Sequence, residues 1–279
     1  MTILQLVKGA KDTAGEVDRL GQQFALDLSR VLRSLERRLR PLVVDVAEGS
    51  RTAIVKASQA NKTRKAIEGA LADSGYPELA ESAYGSRLDT LVVRVLESRR
   101  LAQASARLSG AFDARLMALR MLHETDLLDE GNDLSRALWK ATVRGVFGSR
   151  DVADILDDLA DVIDGTESQI GTLYDTSVSI FGRQVEALQA GDDPDTTFAY
   201  MGPADIKTRP FCRLHVGKVY TREQIDALDN KQIDNVFLTG GGYNCRHTWI
   251  EVSKFSELQD LVGTGQRIPE VAAQLQEAA

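Results

Sequence analysis

The chain has little of what usually staples a small module or arms a catalytic site. Its 279 residues include two cysteines and three histidines. Two cysteines cannot build a disulfide framework; they leave a metal-ligand pair, one lone bridge or free thiols. Long apolar runs are missing, none nearing the roughly 20 residues that span a bilayer, so no membrane span is expected. The start, MTILQLVKGAKD, lacks a basic lead, a long apolar centre and a small-residue cleavage site. The expectation is a protein made and used without secretion. Internal repeats and low-complexity blocks are also missing. With 43% hydrophobic and 27% charged residues, the composition reads as soluble, mostly ordered and able to bury a substantial core.

Charge is present but unevenly placed. Residues 1–65 hold thirteen Lys or Arg against seven Asp or Glu, a net of +6, leaving −13 for the rest of a chain whose formal charge is −7. A basic arm on an acidic body suits contact with a polyanion or an acidic partner at one end. Arg30, Arg33, Arg37 and Arg40 are spaced three or four apart and share a helical face, with Arg38 beside it. Such a row can neutralise double-stranded DNA phosphates without reading sequence. It equally suits a solvated face or an acidic protein surface. No aromatic interrupts it, which argues against single-strand stacking.

Helical periodicity dominates the first two thirds. Val17, Leu20, Phe24, Leu28, Val31 and Leu35 form one stripe from about Glu16 onward, and Pro41 is expected to kink or restart the helix. A second segment is predicted over Val43–Leu71, ending at Ser74-Gly75-Tyr76-Pro77. A third pattern runs through Leu88, Leu91, Val92, Val95 and Leu96 to Leu108, Phe112, Leu116 and Leu119. Shorter helices are predicted over Asp133–Val146 and Asp151–Asp164. A well-marked helix follows over Thr166–Leu188, stopped by the turn formers of residues 190–195.

The texture then changes. TTFAYM, GKVYT and RHTWIEV are short, aromatic and β-branched, and read as strands, with a helix capped by Thr221 between the last two. The fold class is therefore α+β: a long, mostly helical N-terminal body followed by a small module with short antiparallel strands. The boundaries read as 1–75 for a basic helical arm, 76–194 for a helical body, 195–252 for the module and 253–279 for a tail. IPEVAAQLQEAA in that tail is expected to form a helix that docks on a partner.

Both cysteines and two histidines crowd into this module, as Cys212 with His215 in TRPFCRLH and Cys245 with His247 in GGGYNCRHTWIEV. Soft thiolate and imidazole ligands suit zinc, and two short ligand pairs can complete a tetrahedron that holds a module of this size. Buried free thiols or a single bridge remain open on the same spacing. Asn244, Arg246 and His247 also offer groups for a metal-dependent nuclease, though no acidic cluster accompanies them. Gly240–Gly242 lack the lysine and helix of a nucleotide loop and are expected to permit an unusual turn before a strand starting near Tyr243. Arg209 and Arg246 are placed to pair with Asp205 or with backbone carbonyls, and Trp249 to fill the small core.

The stretch FAYMGPADIKTRPFCRLHVGKVYTREQIDALDN, with GGGYNCRHTWIEV, resembles the C-terminal module of phage minor head proteins of the Mu F type, the head morphogenesis proteins. Asp205, Thr208, Arg209, Cys212, Gly217, Tyr220, Asn244, Cys245 and Arg246 carry the likeness, which covers about the last third of the chain. The helix over 166–188 resembles the one preceding that module, with Gly165-Thr166 where the family has Arg-Thr. The resemblance implies a low-copy, non-enzymatic virion component made in the host cytoplasm. It would act near the portal in head assembly and in genome packaging or delivery. Its implied partners are the portal protein and other head proteins, with DNA contact and self-association left open. Some relatives carry cysteines where this chain has His215 and His247, which implies a metal or bridging site. Asp205, Thr208, Arg209, Tyr243, Asn244 and Arg246 would lock the module. A portal-binding connector without DNA contact and a metal-dependent nuclease are the alternatives.

Overall fold

A computed structural model describes residues 2–50, 57–98, 110–148, 150–190, 193 and 195–277. The long helices come first: α1 (Ile3–Ser50), α2 (Ala57–Ala72), α3 (Tyr76–Tyr84), α4 (Ser86–Ser98), α5 (Gly110–Phe147) and α6 (Val152–Ala190). A small α+β portion follows, in the order β1 (Thr197–Met201), α7 (Pro210–His215), β2 (Val219–Thr221), α8 (Arg222–Asp226), α9 (Val236–Thr239) and β3 (Thr248–Glu251). It closes with α10 (Ser256–Gln259) and α11 (Pro269–Glu277). The chain is thus α+β in the order expected. Among the described residues no helix is long and apolar enough to cross a membrane.

Expected breaks in the helices are bridged. α1 begins at Ile3 rather than near Glu16 and continues through Pro41. An interior proline costs about 3 kcal/mol, but Pro41 is exposed while Leu35, Leu39 and Val43 on either side are buried and anchor the helix. Asp133–Val146 is the end of the longer α5, and Asp151–Asp164 fuses with Thr166–Leu188 into α6. Gly165 inside α6 costs about 1 kcal/mol relative to alanine. Ile155, Leu159, Ile163, Ile170, Tyr174, Val178, Phe181 and Val185 are all buried along this helix and outweigh it. The breaker at 74–77 acts as expected: Gly75 takes φ 92° and Pro77 opens α3. Leu108, residues 51–56, Gly191, Asp192 and Pro194 lie outside the described residues.

The chain forms two compact units, each assembled from separated segments. They do not divide at the sequence boundaries of 75, 194 and 252. One unit comprises residues 22–85 and 121–174. Phe24 stacks on Tyr174 at 3.8 Å between centroids, and Tyr84 tilts against the same ring. Tyr76 donates a buried hydrogen bond of 2.7 Å to the Leu127 carbonyl, with its ring against Gly131, where a Cβ would not fit.

The other unit comprises residues 1–21, 86–120 and 175–279. Its sheet has the order β2-β1-β3, antiparallel throughout, so β1 is central and every residue of it is buried. Aromatic and β-branched residues suit such a pleated surface. Register sets Phe198 opposite Tyr220 and Tyr200 opposite Trp249. Thr221 ends β2 and caps α8 in a reciprocal box with Gln224. The core around the sheet takes in Leu6, Val7 and Ala10 from α1 and Ile268 and Val271 from the tail. The tail forms the expected helix, and its Val271 packs on the module, filling the space beside Gly217 that a Cβ would need. β3 starts at Thr248, not near Tyr243, which is about half exposed in the preceding turn.

Candidate metal centre

Three segments of the sheet-bearing unit bring their side chains to one buried point. Pro210 opens α7, fitting the first turn where no N–H is required, and two residues later Cys212 points into the core at 2% exposure. Tyr200 comes from the central strand and is fully buried. Cys245 and His247 come from the turn before β3, which is shaped by positive φ at Gly240, Gly242 and Asn244. Gly241 serves a different need: a Cβ there would lie 2.3 Å from Cys212 Sγ.

The Sγ atoms of Cys212 and Cys245 are 3.8 Å apart and the cysteines are free. Tyr200 Oη lies 3.5 Å from the first sulfur and 3.3 Å from the second. His247 Nδ1 is 3.9 Å from Cys245 Sγ, and the Gly241 N–H donates to that sulfur at 3.1 Å. Donor atoms of Cys212, Cys245 and His247 all fall within 4.8 Å of one another, a set able to take a metal ion. Arg183 of α6, 3% exposed, donates to the carbonyls of Leu238, Cys245 and His247 and brings a positive charge beside the thiols. The hydrogen bond between the thiols, reinforced by Arg183, holds Cys245 well below the usual thiol range, while the same bond and burial push Cys212 up. Burial, then the nearby sulfurs, raise Tyr200.

His215, expected as a fourth ligand, is placed elsewhere. It sits at the end of α7, its Nδ1 2.7 Å from Tyr220 Oη and its ring against Phe211. Burial, then Lys218 and Arg267, lower it to about 4. Sequence spacing gave no sign of Tyr200, which reads only as an apolar strand position. Arg183 did leave a signal, as the single cation between residues 166 and 190.

Around this centre the motif residues tie loops together. Arg246 makes a two-pronged pair with Asp205 at 2.7 and 2.9 Å and reaches Asp18 at 3.5 Å. The bond from Arg246 holds Asp205 at about 2. Thr208 Oγ1 donates to the Pro203 carbonyl and accepts the Asp205 N–H, closing the 205–208 turn. Arg209 donates to the Gly241 carbonyl and to Gln232, and Gln232 also accepts the Tyr243 N–H. Asn244 exchanges hydrogen bonds with Thr176 of α6. Trp249 is buried, its indole donating to the Val236 carbonyl.

The arginine row lies on α1 in the other unit and is exposed throughout. Arg30 pairs with Asp27 and Arg38 approaches Asp73, while Arg37 donates to the Arg33 carbonyl. Arg33, Arg37 and Arg40 keep a helical spacing that suits a solvated face, an acidic protein surface or a polyanion alike. No protein-family model matches the chain, and no curated protein or solved structure does either.

Proposed function

We propose that this chain is a non-enzymatic structural protein of a tailed-phage head, acting near the portal in head assembly and genome packaging or delivery. The reading starts from the likeness of residues 198–252 to minor head proteins of the Mu F type. One observation supports it most: the residues carrying that likeness are spent on holding the module together. Arg246 is committed to Asp205, Arg209 to a backbone carbonyl, Asn244 to Thr176, and both cysteines are buried. The same engagement weighs against the nuclease alternative, since His247 is 3% exposed and a phosphodiester could not approach it.

Zinc fits the centre. A tetrahedral ion with Zn–S bonds of about 2.3 Å sets its sulfurs about 3.8 Å apart, the separation between Cys212 and Cys245. Bound by Cys212, Cys245 and His247, it would cross-link α7 to the turn before β3 and supply stability rather than reactivity. Quantitative mass spectrometry of purified, nuclease-treated virions tests the main proposal. A few copies per portal is the expected result; absence from virions would overturn it. Retention on DNA that falls steeply with salt and is lost in an Arg33, Arg37 and Arg40 triple alanine variant would add DNA to the partners. Salt-insensitive portal binding alone would leave a connector.

A further inference from the structure

We infer that Tyr200 supplies the fourth donor of this metal centre, through its phenol oxygen. The inference rests on the zinc reading above and goes beyond the cysteine and histidine set. Tetrahedral zinc with bonds of about 2.3 Å to sulfur and about 2.0 Å to oxygen needs S···O edges near 3.5 Å. Tyr200 Oη meets both sulfurs at 3.5 and 3.3 Å, while the two sulfurs stand 3.8 Å apart. His247 Nδ1, at 3.9 Å from Cys245 Sγ, completes the set at slightly longer range. His215 does not take this place: its ring is not among the donors that gather at this point, and its Nδ1 faces Tyr220 on β2.

Neighbouring groups fit such a centre. The Gly241 N–H donates to Cys245 Sγ, and the Arg183 guanidinium grips the carbonyls of both Cys245 and His247. Two thiolates and a phenolate around a divalent ion leave one net negative charge, which the single Arg183 cation offsets. Imidazoles that ligate through one nitrogen present the other to a polar partner or water. His247 Nε2 is buried and has no protein partner among the described residues, and the same holds for Thr13 Oγ1 and Thr248 Oγ1. All three residues line one pocket of about 20 Å³, room for a single water.

The test uses the full chain, stripped of metal and titrated with cobalt(II) and then zinc(II). Wild-type protein should bind one ion with thiolate charge-transfer absorption and the visible bands of tetrahedral cobalt. Zinc addition should perturb a tyrosine in the near ultraviolet. Tyr200→Phe should keep the thiolate absorption, change the shape of the visible bands and bind zinc about tenfold more weakly or worse. His215→Ala should bind as wild type does. A Tyr200→Phe protein indistinguishable from wild type in both spectrum and affinity would overturn the phenol ligand and leave the three-residue zinc site standing. Should that variant fail to fold, the wild-type tyrosine difference spectrum decides, and a flat one overturns the inference. Failure of wild type to bind either ion would overturn the zinc reading itself and this inference with it.

Discussion

Replacing Asp175 with asparagine should stabilise the protein at neutral pH and flatten its response to pH. Asp175 lies on α6 against Gly21 of α1, so closely that a Cβ built on that glycine would fall 2.2 Å from its Oδ1. Burial strips water from the carboxylate and Asp18 adds a like charge, raising Asp175 from 3.8 to about 6. The folded protein thus holds this proton more tightly than the unfolded chain does. That contribution is full below about pH 4 and is lost as pH rises through about 6. Two pH units correspond to about 3 kcal/mol, and partial exposure of the carboxyl reduces this to roughly 1–2 kcal/mol. Asparagine keeps the shape and carries no charge. Urea unfolding of both proteins from about pH 4 to pH 8 makes the comparison, and groups titrating in both cancel in the difference. The expected outcome is near-equal stability at the acid end and an advantage of about 1–2 kcal/mol for Asp175→Asn at neutrality. A variant less stable than wild type at pH 7, with an unchanged pH slope, would mean the carboxylate makes a favourable contact and would refute the desolvation argument.

Asp205 should behave with the opposite sign. Held at about 2 by Arg246, it contributes stability above about pH 4 that is lost as pH falls through 2. Discounted for its 41% side-chain exposure, Asp205→Asn should cost about 1 kcal/mol at pH 7 in urea unfolding, a cost that fades as pH falls through 2. Arg183→Met should cost about 3–5 kcal/mol by the same measurement, because it abandons the buried carbonyls of Leu238, Cys245 and His247 together. Gly241→Ala should lower stability by about 1–3 kcal/mol and, in the cobalt titration, weaken binding, since its methyl displaces Cys212 Sγ.

The sequence made the class of fold and most of its elements legible, but not where helices end. Pro41 and Gly165 each carry a local penalty of about 1–3 kcal/mol. The buried stripes around them, Leu35–Val43 on α1 and Ile155–Val185 on α6, extend over several turns and prevail. Local rules see the penalty; only the packed partner supplies the compensation. The short strands and the Thr221 cap were legible because their signals are themselves local. At the centre, the crowding of Cys212, Cys245 and His247 was visible in the spacing, whereas the place of His215 was not. Three residues along α7 advance it by about 4.5 Å, enough to hand it to Tyr220 on β2. Tyr200 reached the cluster through strand register, a pairing between residues 198–201 and 248–251 that no short motif encodes.

The meeting of Leu6, Val7 and Ala10 with Phe198, Trp249 and Val271 in one core has a consequence during synthesis. A ribosome adds about 5–20 residues per second, so the first turns of α1 wait on the order of ten seconds to a minute before the partners that cover them emerge. Throughout that interval a nascent amphipathic helix offers an uncovered apolar edge to chaperones, to proteases and to other copies emerging from the same message. Final closure of the module is therefore timed by translation of its last elements rather than by the speed of helix formation.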